Sequence, residues 1–111
     1  MTKPLTQPMY YILLSLREER HGYEIMQYVE WLTDGRVTIG PGTLYSLLSR
    51  FEDDDSIEMV SKKDNKKTYL ITKKGQEVLD KEIKRLELLL NDAKKGDQED
   101  EFQNRDELLK H

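Results

Sequence analysis

Residues 41–75 read PGTLYSLLSRFEDDDSIEMVSKKDNKKTYLITKKG, and the hydrophobic period changes partway along them. Leu44, Leu47, Leu48 and Phe51 recur at i, i+3, i+4 and i+7, the spacing of one face of an α-helix. Pro41 suits the first turn of that helix, where a missing N–H forfeits no hydrogen bond. The opposite face carries Thr43, Ser46, Ser49 and Arg50. Asp53, Asp54 and Asp55 close the helix at an end whose macrodipole disfavours acids. From Ile57 the period is two. Ile57 and Met59 alternate with Glu58, and Tyr69 and Ile71 alternate with Thr68, Leu70 and Thr72, as in strands with one buried face. Between the two runs lies the lysine-rich segment Ser61–Lys67. Asp64-Asn65 falls at its middle, and asparagine tolerates the left-handed conformation that a tight turn requires. The stretch therefore predicts a helix followed by a β-hairpin with a basic tip.

Upstream, Met9, Ile12, Leu13 and Leu16 mark a helix from about Gln7 to Glu19, with Thr6 as N-cap and Pro8 in the first turn. His21-Gly22 breaks the chain, and His21 reads as a turn or cap residue. A second helix runs from about Tyr23 to Leu32 on the stripe Ile25, Met26, Val29 and Leu32. Thr33, Asp34 and Gly35 end it. Tyr28 and Trp31 flank the stripe and are expected to be partly buried packing residues. Val37 and Ile39 around Thr38 predict a short strand. Downstream, a long helix is expected from Lys73 to about Lys95, capped by Thr72 and closed by Gly96. Leu79, Ile83, Leu86, Leu90 and Ala93 form a heptad seam along it. At ~1.5 Å per residue such a helix extends roughly 30 Å, more than a domain this small needs, so the seam is expected to join two chains. The acidic tail that follows is expected to be loose, or to dock a further turn through Phe102, Leu108 and Leu109.

The fold class is mainly α with a small β-hairpin: a winged helix-turn-helix domain over residues 1–72, a C-terminal dimerisation helix over 73–96 and an acidic tail over 97–111. The chain of 111 residues has room for one core and an appendage. It has no cysteine, which excludes disulfides and thiolate metal sites. The histidines are His21 and His111, too far apart for a zinc signature, so no metal or cofactor is expected. No apolar run approaches the roughly 18–20 residues of a membrane span, and the N-terminus lacks a signal-peptide pattern. The expectation is a cytoplasmic protein with no membrane partner. The net charge is −4, but it is unevenly spread. Residues 57–75 hold six lysines against Glu58 and Asp64, 6 − 2 = +4, whereas residues 97–111 hold six acids against Arg105 and Lys110, 2 − 6 = −4. No nucleophile–base pair, metal spacing or phosphate loop stands out, so the chain is not expected to be an enzyme.

The element order helix, helix, short strand, helix, hairpin, long helix is that of a winged helix-turn-helix protein. Its third helix would enter the major groove of double-stranded DNA by its N-terminal end. Gly42 would admit a phosphate close to that end. Thr43, Tyr45, Ser46 and Arg50 can reach bases or backbone, and the hydroxyl of Tyr23 can reach a phosphate, although Tyr23 equally fits a packing role. Lys62, Lys63, Lys66 and Lys67 of the wing would meet phosphates. Two readings of Tyr45 stand side by side, cover for the core edge and contact to DNA. The lysine tip likewise reads either as a solvated hairpin that deters strand aggregation or as a phosphate contact. Lys73-Lys74 favour the second reading, since they continue one sign of charge into a helix N-terminus.

HGYEI at 21–25, PGTLYSLL at 41–48 and TYLITKKG at 68–75 resemble the PadR family of transcriptional regulators, over about residues 8–95. The resemblance implies a winged-helix homodimer in which the C-terminal helix of each subunit packs on the N-terminal helix of the other. It implies a repressor of palindromic operators, of a kind that often responds to phenolic or drug-like molecules, which admits a small aromatic effector as a partner. The sequence departs from the pattern at Asp55, where a glycine is frequent, and at Lys66-Lys67, where an arginine often precedes the tyrosine of the second wing strand. The C-terminal helix has no tryptophan, so a tryptophan-sandwich drug pocket does not carry over. The alternative is a winged-helix module for protein–protein interaction without DNA binding, which the acidic total keeps open.

Overall fold

A single apolar core organises the chain, whose computed structural model describes residues 3–109. Helix α1 (Gln7–Ser15) enters it with Ile12 and Leu13, followed by Leu16 at its C-cap. Helix α2 (Gly22–Leu32) adds Ile25 and Val29, and helix α3 (Pro41–Asp53) adds Leu44, Leu48 and Phe51. A three-stranded antiparallel sheet closes one side: β1 (Arg20–His21), β2 (Ile57–Lys63) and β3 (Lys66–Ile71), in the order β1-β3-β2. Ile57 and Tyr69 face the core from the sheet, and Leu79 does so from helix α4 (Lys73–Gly96). A last helix, α5, spans Glu99–Leu109. The architecture is the expected one, mostly helical with a small sheet and a long C-terminal helix.

Local chemistry sets the element ends. Thr6 caps α1 by accepting from the Met9 N–H. At α2 the cap is reciprocal: His21 Nδ1 accepts from the Glu24 N–H, and the Glu24 carboxylate accepts from the His21 N–H at 3.0 Å. The hairpin turns through Asp64 and Asn65, both at positive φ (54° and 65°), as a two-residue turn matched to strand twist requires. Asp55 also takes positive φ, 63°, at the position where glycine would be easier.

Several boundaries differ from the sequence reading. Helix α1 stops at Ser15, well short of Glu19, because the chain must return to pair with β3: Arg20 lies opposite Tyr69 and His21 opposite Thr68. The Arg20 guanidinium closes the exit, donating to the Ser15 carbonyl at 2.8 Å and lying 4.0 Å over the Tyr28 ring. No strand forms at Val37–Ile39. Instead the Thr33 hydroxyl donates to the Val29 carbonyl at 2.8 Å and accepts from the Val37 N–H at 3.1 Å, which satisfies the loop without a sheet and leaves Ile39 buried. Trp31 is 70% exposed and not partly buried, since α2 turns its adjacent face to the core. The tail is helical as α5, with Glu99, Asp100 and Glu101 in the first turn where the macrodipole favours acids. Phe102 does not dock, being 68% exposed. The side chains of Leu108 and Leu109, and the residues Lys110 and His111, lie outside those described.

Helix α4 is laid against the core by its first three turns. Gly75, Leu79 and Glu82 are buried there, and the helix is exposed throughout from Leu86 on. Arg85 grips the Glu82 carboxylate with two bonds, of 3.0 and 2.6 Å. That bond is the main reason the Glu82 carboxyl is held below its usual range, against the effect of burial; the Arg85 charge and a bond from the Leu5 backbone act the same way. At the start of α4 the backbone passes so close to the α3–β2 junction that a Cβ on Gly75 would lie 2.0 Å from the Ser56 carbonyl oxygen. Only glycine fits. Gly75→Ala is expected to destabilise the fold by about 1–3 kcal/mol or more, since backbone must move to relieve the overlap. Urea titration followed by circular dichroism measures this, and an unchanged midpoint would contradict the contact.

Candidate nucleic-acid interface

The exposed side of α3 begins bare. Its N-cap, Gly40, supplies no side-chain cap, and Cβ atoms added at Gly40 or Gly42 would meet nothing within 4 Å. The chain itself therefore does not demand these glycines, and they leave the helix start open to close approach from outside. Thr43, Tyr45, Ser46, Ser49 and Arg50 are exposed along the same helix. Arg50 lies in the last turn, away from the open end.

A groove of about 670 Å³ runs between α3, the start of α2 and the β2–β3 hairpin. It brings together four of the expected residues, Tyr23, Tyr45, Lys66 and Lys67. Gly42, Thr43, Ser46, Arg50, Lys62 and Lys63 are not part of its lining. His21, Ser49, Glu52, Asn65 and Tyr69 line it without having been expected to. Ser49 and Glu52 were within reach of a sequence reading, because they follow Tyr45 at i+4 and i+7 on one helical face. Tyr69 was not, since only the fold shows that it lines the groove. Burial first, and then the charge of Glu52 and the presence of Tyr45, push the Tyr69 hydroxyl above its ordinary pKa.

Tyr45 packs against a neighbouring helix and still presents surface to solvent. It is about half exposed, yet its hydroxyl lies across Gly22, where a Cβ would come within 2.5 Å of the oxygen. The glycine of HGYEI thus makes room for the tyrosine of PGTLYSLL, and α2 fixes the height of Tyr45 above α3.

The wing concentrates charge in an unfavourable arrangement. The two-residue turn at Asp64-Asn65 sets Lys63 opposite Lys66 and Lys62 opposite Lys67. Like charges directly opposite each other on neighbouring strands are destabilising. Lys74 does not belong to this cluster. Its ammonium donates to the Asp54 carbonyl at the C-terminus of α3, where a cation offsets the macrodipole. That bond accounts for Lys74 within the fold, so Lys74 no longer argues for phosphate.

On the long helix the seam divides. Leu79 is fully buried in the chain's own core, which takes it out of reach of a partner, and Ile83 packs half-buried beside it. Leu86 and Leu90 are exposed, at 37% and 55%, as are Ala93 and the unexpected Leu88 and Leu89. Among the described residues no cluster of His, Asp or Glu is placed to hold a metal ion, and no helix is long and apolar enough to cross a membrane.

Comparison with known proteins places these features. Residues 12–81 match the family model described as the transcriptional regulator PadR-like family. The curated transcriptional regulator YqjI of Escherichia coli is 29% identical over 73 residues, 66% of this chain, and the chain spans 35% of that relative's length. A transcriptional regulator from Clostridium thermocellum superposes with a TM-score of 0.68 at 27% identity, over 78% of this chain and 89% of that one. A PadR-like transcription factor from Bacteroides fragilis does so with a TM-score of 0.61 at 31% identity, over 80% and 87%.

The Gly22–Tyr45 contact predicts energetic coupling. Gly22→Ala should perturb the Tyr45 ring and cost stability. The same change in a Tyr45→Phe background should cost less, by about 0.5 kcal/mol or more, because the nearest clashing atom is then gone. A double-mutant cycle by thermal unfolding measures it, and strict additivity would show that the two residues do not touch.

Proposed function

The chain belongs to the transcriptional regulator PadR-like family, and from that premise we propose that it is a cytoplasmic homodimer that binds double-stranded DNA and represses transcription at a palindromic operator. The observation that carries the proposal is the pairing of Lys62 with Lys67 and of Lys63 with Lys66 across the wing. Such pairs cost stability in the free protein. A polyanion laid along the wing relieves that cost, and counterion release supplies affinity. The open start of α3 supports the same reading, with Gly42, Thr43, Tyr45 and Ser46 meeting the major groove, and Tyr23 and Arg50 meeting the backbone.

Residues 1–72 act as the DNA-binding unit, 73–96 as the dimerisation helix and 97–111 as an acidic tail. The division at 72 is one of role and not of packing, since Leu79 of α4 completes the core. Dimerisation uses Ile83, Leu86, Leu90 and Ala93, the part of the seam the core leaves half-covered or bare. Release by a small aromatic effector belongs to the proposal on the strength of the family relationship alone. The net charge of −4 does not oppose DNA binding, because acids of the tail account for that sum while the hairpin is basic.

Two experiments test the reading. Changing Lys66 and Lys67 together to alanine should weaken specific and non-specific DNA alike, and the slope of log affinity against log salt should shrink by about 1 per lost phosphate contact. An unchanged slope would leave the tip a solvated hairpin. Leu86→Glu should give a folded monomer with much weaker operator binding, because a monomer loses the gain from joining two half-sites about 34 Å apart. Sedimentation, with circular dichroism as the check on folding, reads the outcome, and a variant that stays dimeric places the contact elsewhere.

A further inference from the structure

Resting on the DNA-binding reading above, we propose that Glu52 is a built-in electrostatic brake, a carboxylate in the groove that weakens the hold of the wing lysines on the phosphate backbone. The groove between α3 and the wing carries Lys66 and Lys67 on its wing side, and Glu52 is the carboxylate in its lining. Glu52 shares a face of α3 with Tyr45 and Ser49 and is half-buried, so it is turned into the groove and not out to solvent. A strand of phosphates drawn to Lys66 and Lys67 approaches this carboxylate at the same time.

Helix α3 gives this charge little support of its own. Glu52 stands one residue from the end of α3, where the helix macrodipole disfavours an acid. The ion pairs among the described residues are His21–Glu24 and Glu82–Arg85, and Glu52 enters neither. Its field also crosses the groove, because it opposes ionisation of the Tyr69 hydroxyl on β3. A negative charge set at a structurally unfavourable place and facing two cations weakens them as phosphate ligands. The consequence for a regulator is release: non-specific affinity, which is almost wholly electrostatic, is kept low, and the protein leaves wrong sites quickly.

Glu52→Gln keeps the shape and removes the charge. Its affinity for a short random-sequence duplex should rise roughly three- to tenfold at low salt, the size expected for one unit charge acting across a solvated groove. The gain should shrink between about 50 mM and 200 mM salt as screening grows. In the background of Lys66→Ala with Lys67→Ala, the gain from Glu52→Gln should fall to less than half, because the phosphates are no longer drawn to the carboxylate. Fluorescence anisotropy of the labelled duplex reads all three, and matching thermal melts of the variants confirm folding. An unchanged affinity overturns the proposal. So does a weakened one, which would make Glu52 a positioning residue for the wing. If the wild-type protein itself shows no salt-dependent binding, the DNA reading fails first, and that is seen before any variant is made.

Discussion

At the junction of wing and long helix, the Thr72 N–H donates to the Ser56 carbonyl at 3.0 Å, while the Thr72 hydroxyl donates to Asp55 at 2.6 Å and accepts from the Gly75 N–H at 3.1 Å. The glycine lets the first turn of α4 lie directly on that carbonyl. The end of α3, the root of the wing and the start of α4 thus meet within a few residues. Lys74 adds a bond to Asp54 from the same turn. The rest of the arrangement follows from this clamp. It fixes the direction in which α4 leaves the core, and with it where Leu86 and Leu90 stand relative to α3. In a dimer built on those leucines, the spacing of two recognition helices would be set by a joint of backbone hydrogen bonds and one missing Cβ, which leaves little room for adjustment.

A second tie holds the other end. The Ile71 N–H donates to the Leu16 carbonyl at 2.8 Å, and β1 pairs with β3 on the flank away from β2. The wing is therefore anchored through β3 to the exit of α1 and through Thr72 to α4, while its tip stands free. Rigid at the base and charged at the tip is a division that suits contact with a flexible polyanion: the lysine heads can follow phosphates without disturbing the core that aims α3.

The sequence made the larger elements legible because each carries a period. The stripes of α1, α2 and α3 and the alternation around Ile57 and Tyr69 are long enough to distinguish 3.6 from 2.0. Strand β1 has two residues and no period, so nothing local announces it; it exists because β3 offers an unpaired edge. Val37–Ile39 shows the opposite error, alternation without a partner strand, where the Thr33 side chain does the bonding instead. Asp64 and Asn65 were readable as a tight turn, and a two-residue turn there already pairs Lys63 with Lys66 and Lys62 with Lys67. The shift between Met59 and Ser61 was not readable, because register farther from the turn is a property of two strands together. The groove was half-visible for a like reason: Tyr23, Tyr45, Lys66 and Lys67 could be nominated by type and Glu52 by its spacing after Tyr45, but Tyr69 enters it only through the packing of α3 on the sheet.

The total charge of this chain misleads, and the reason lies in how charge acts over distance. At physiological ionic strength the screening length is about 8 Å, so a sum over a molecule with extents of 73 × 30 × 21 Å describes no point on its surface. Acids at Glu99–Glu101 on α5, beyond a helix about 36 Å long, contribute almost nothing at Lys66. What a phosphate near the wing would feel is local: four lysines on facing strands, Asp64 in the turn between them and the Glu52 carboxylate in the groove beside them. The wing lysines repel one another and gain by meeting a polyanion, and Glu52 limits how much they gain. On this view affinity is adjusted within the groove itself, by residues on α3 and β3 held in place by the shared core, and the tail is left free to be acidic without weakening the interface.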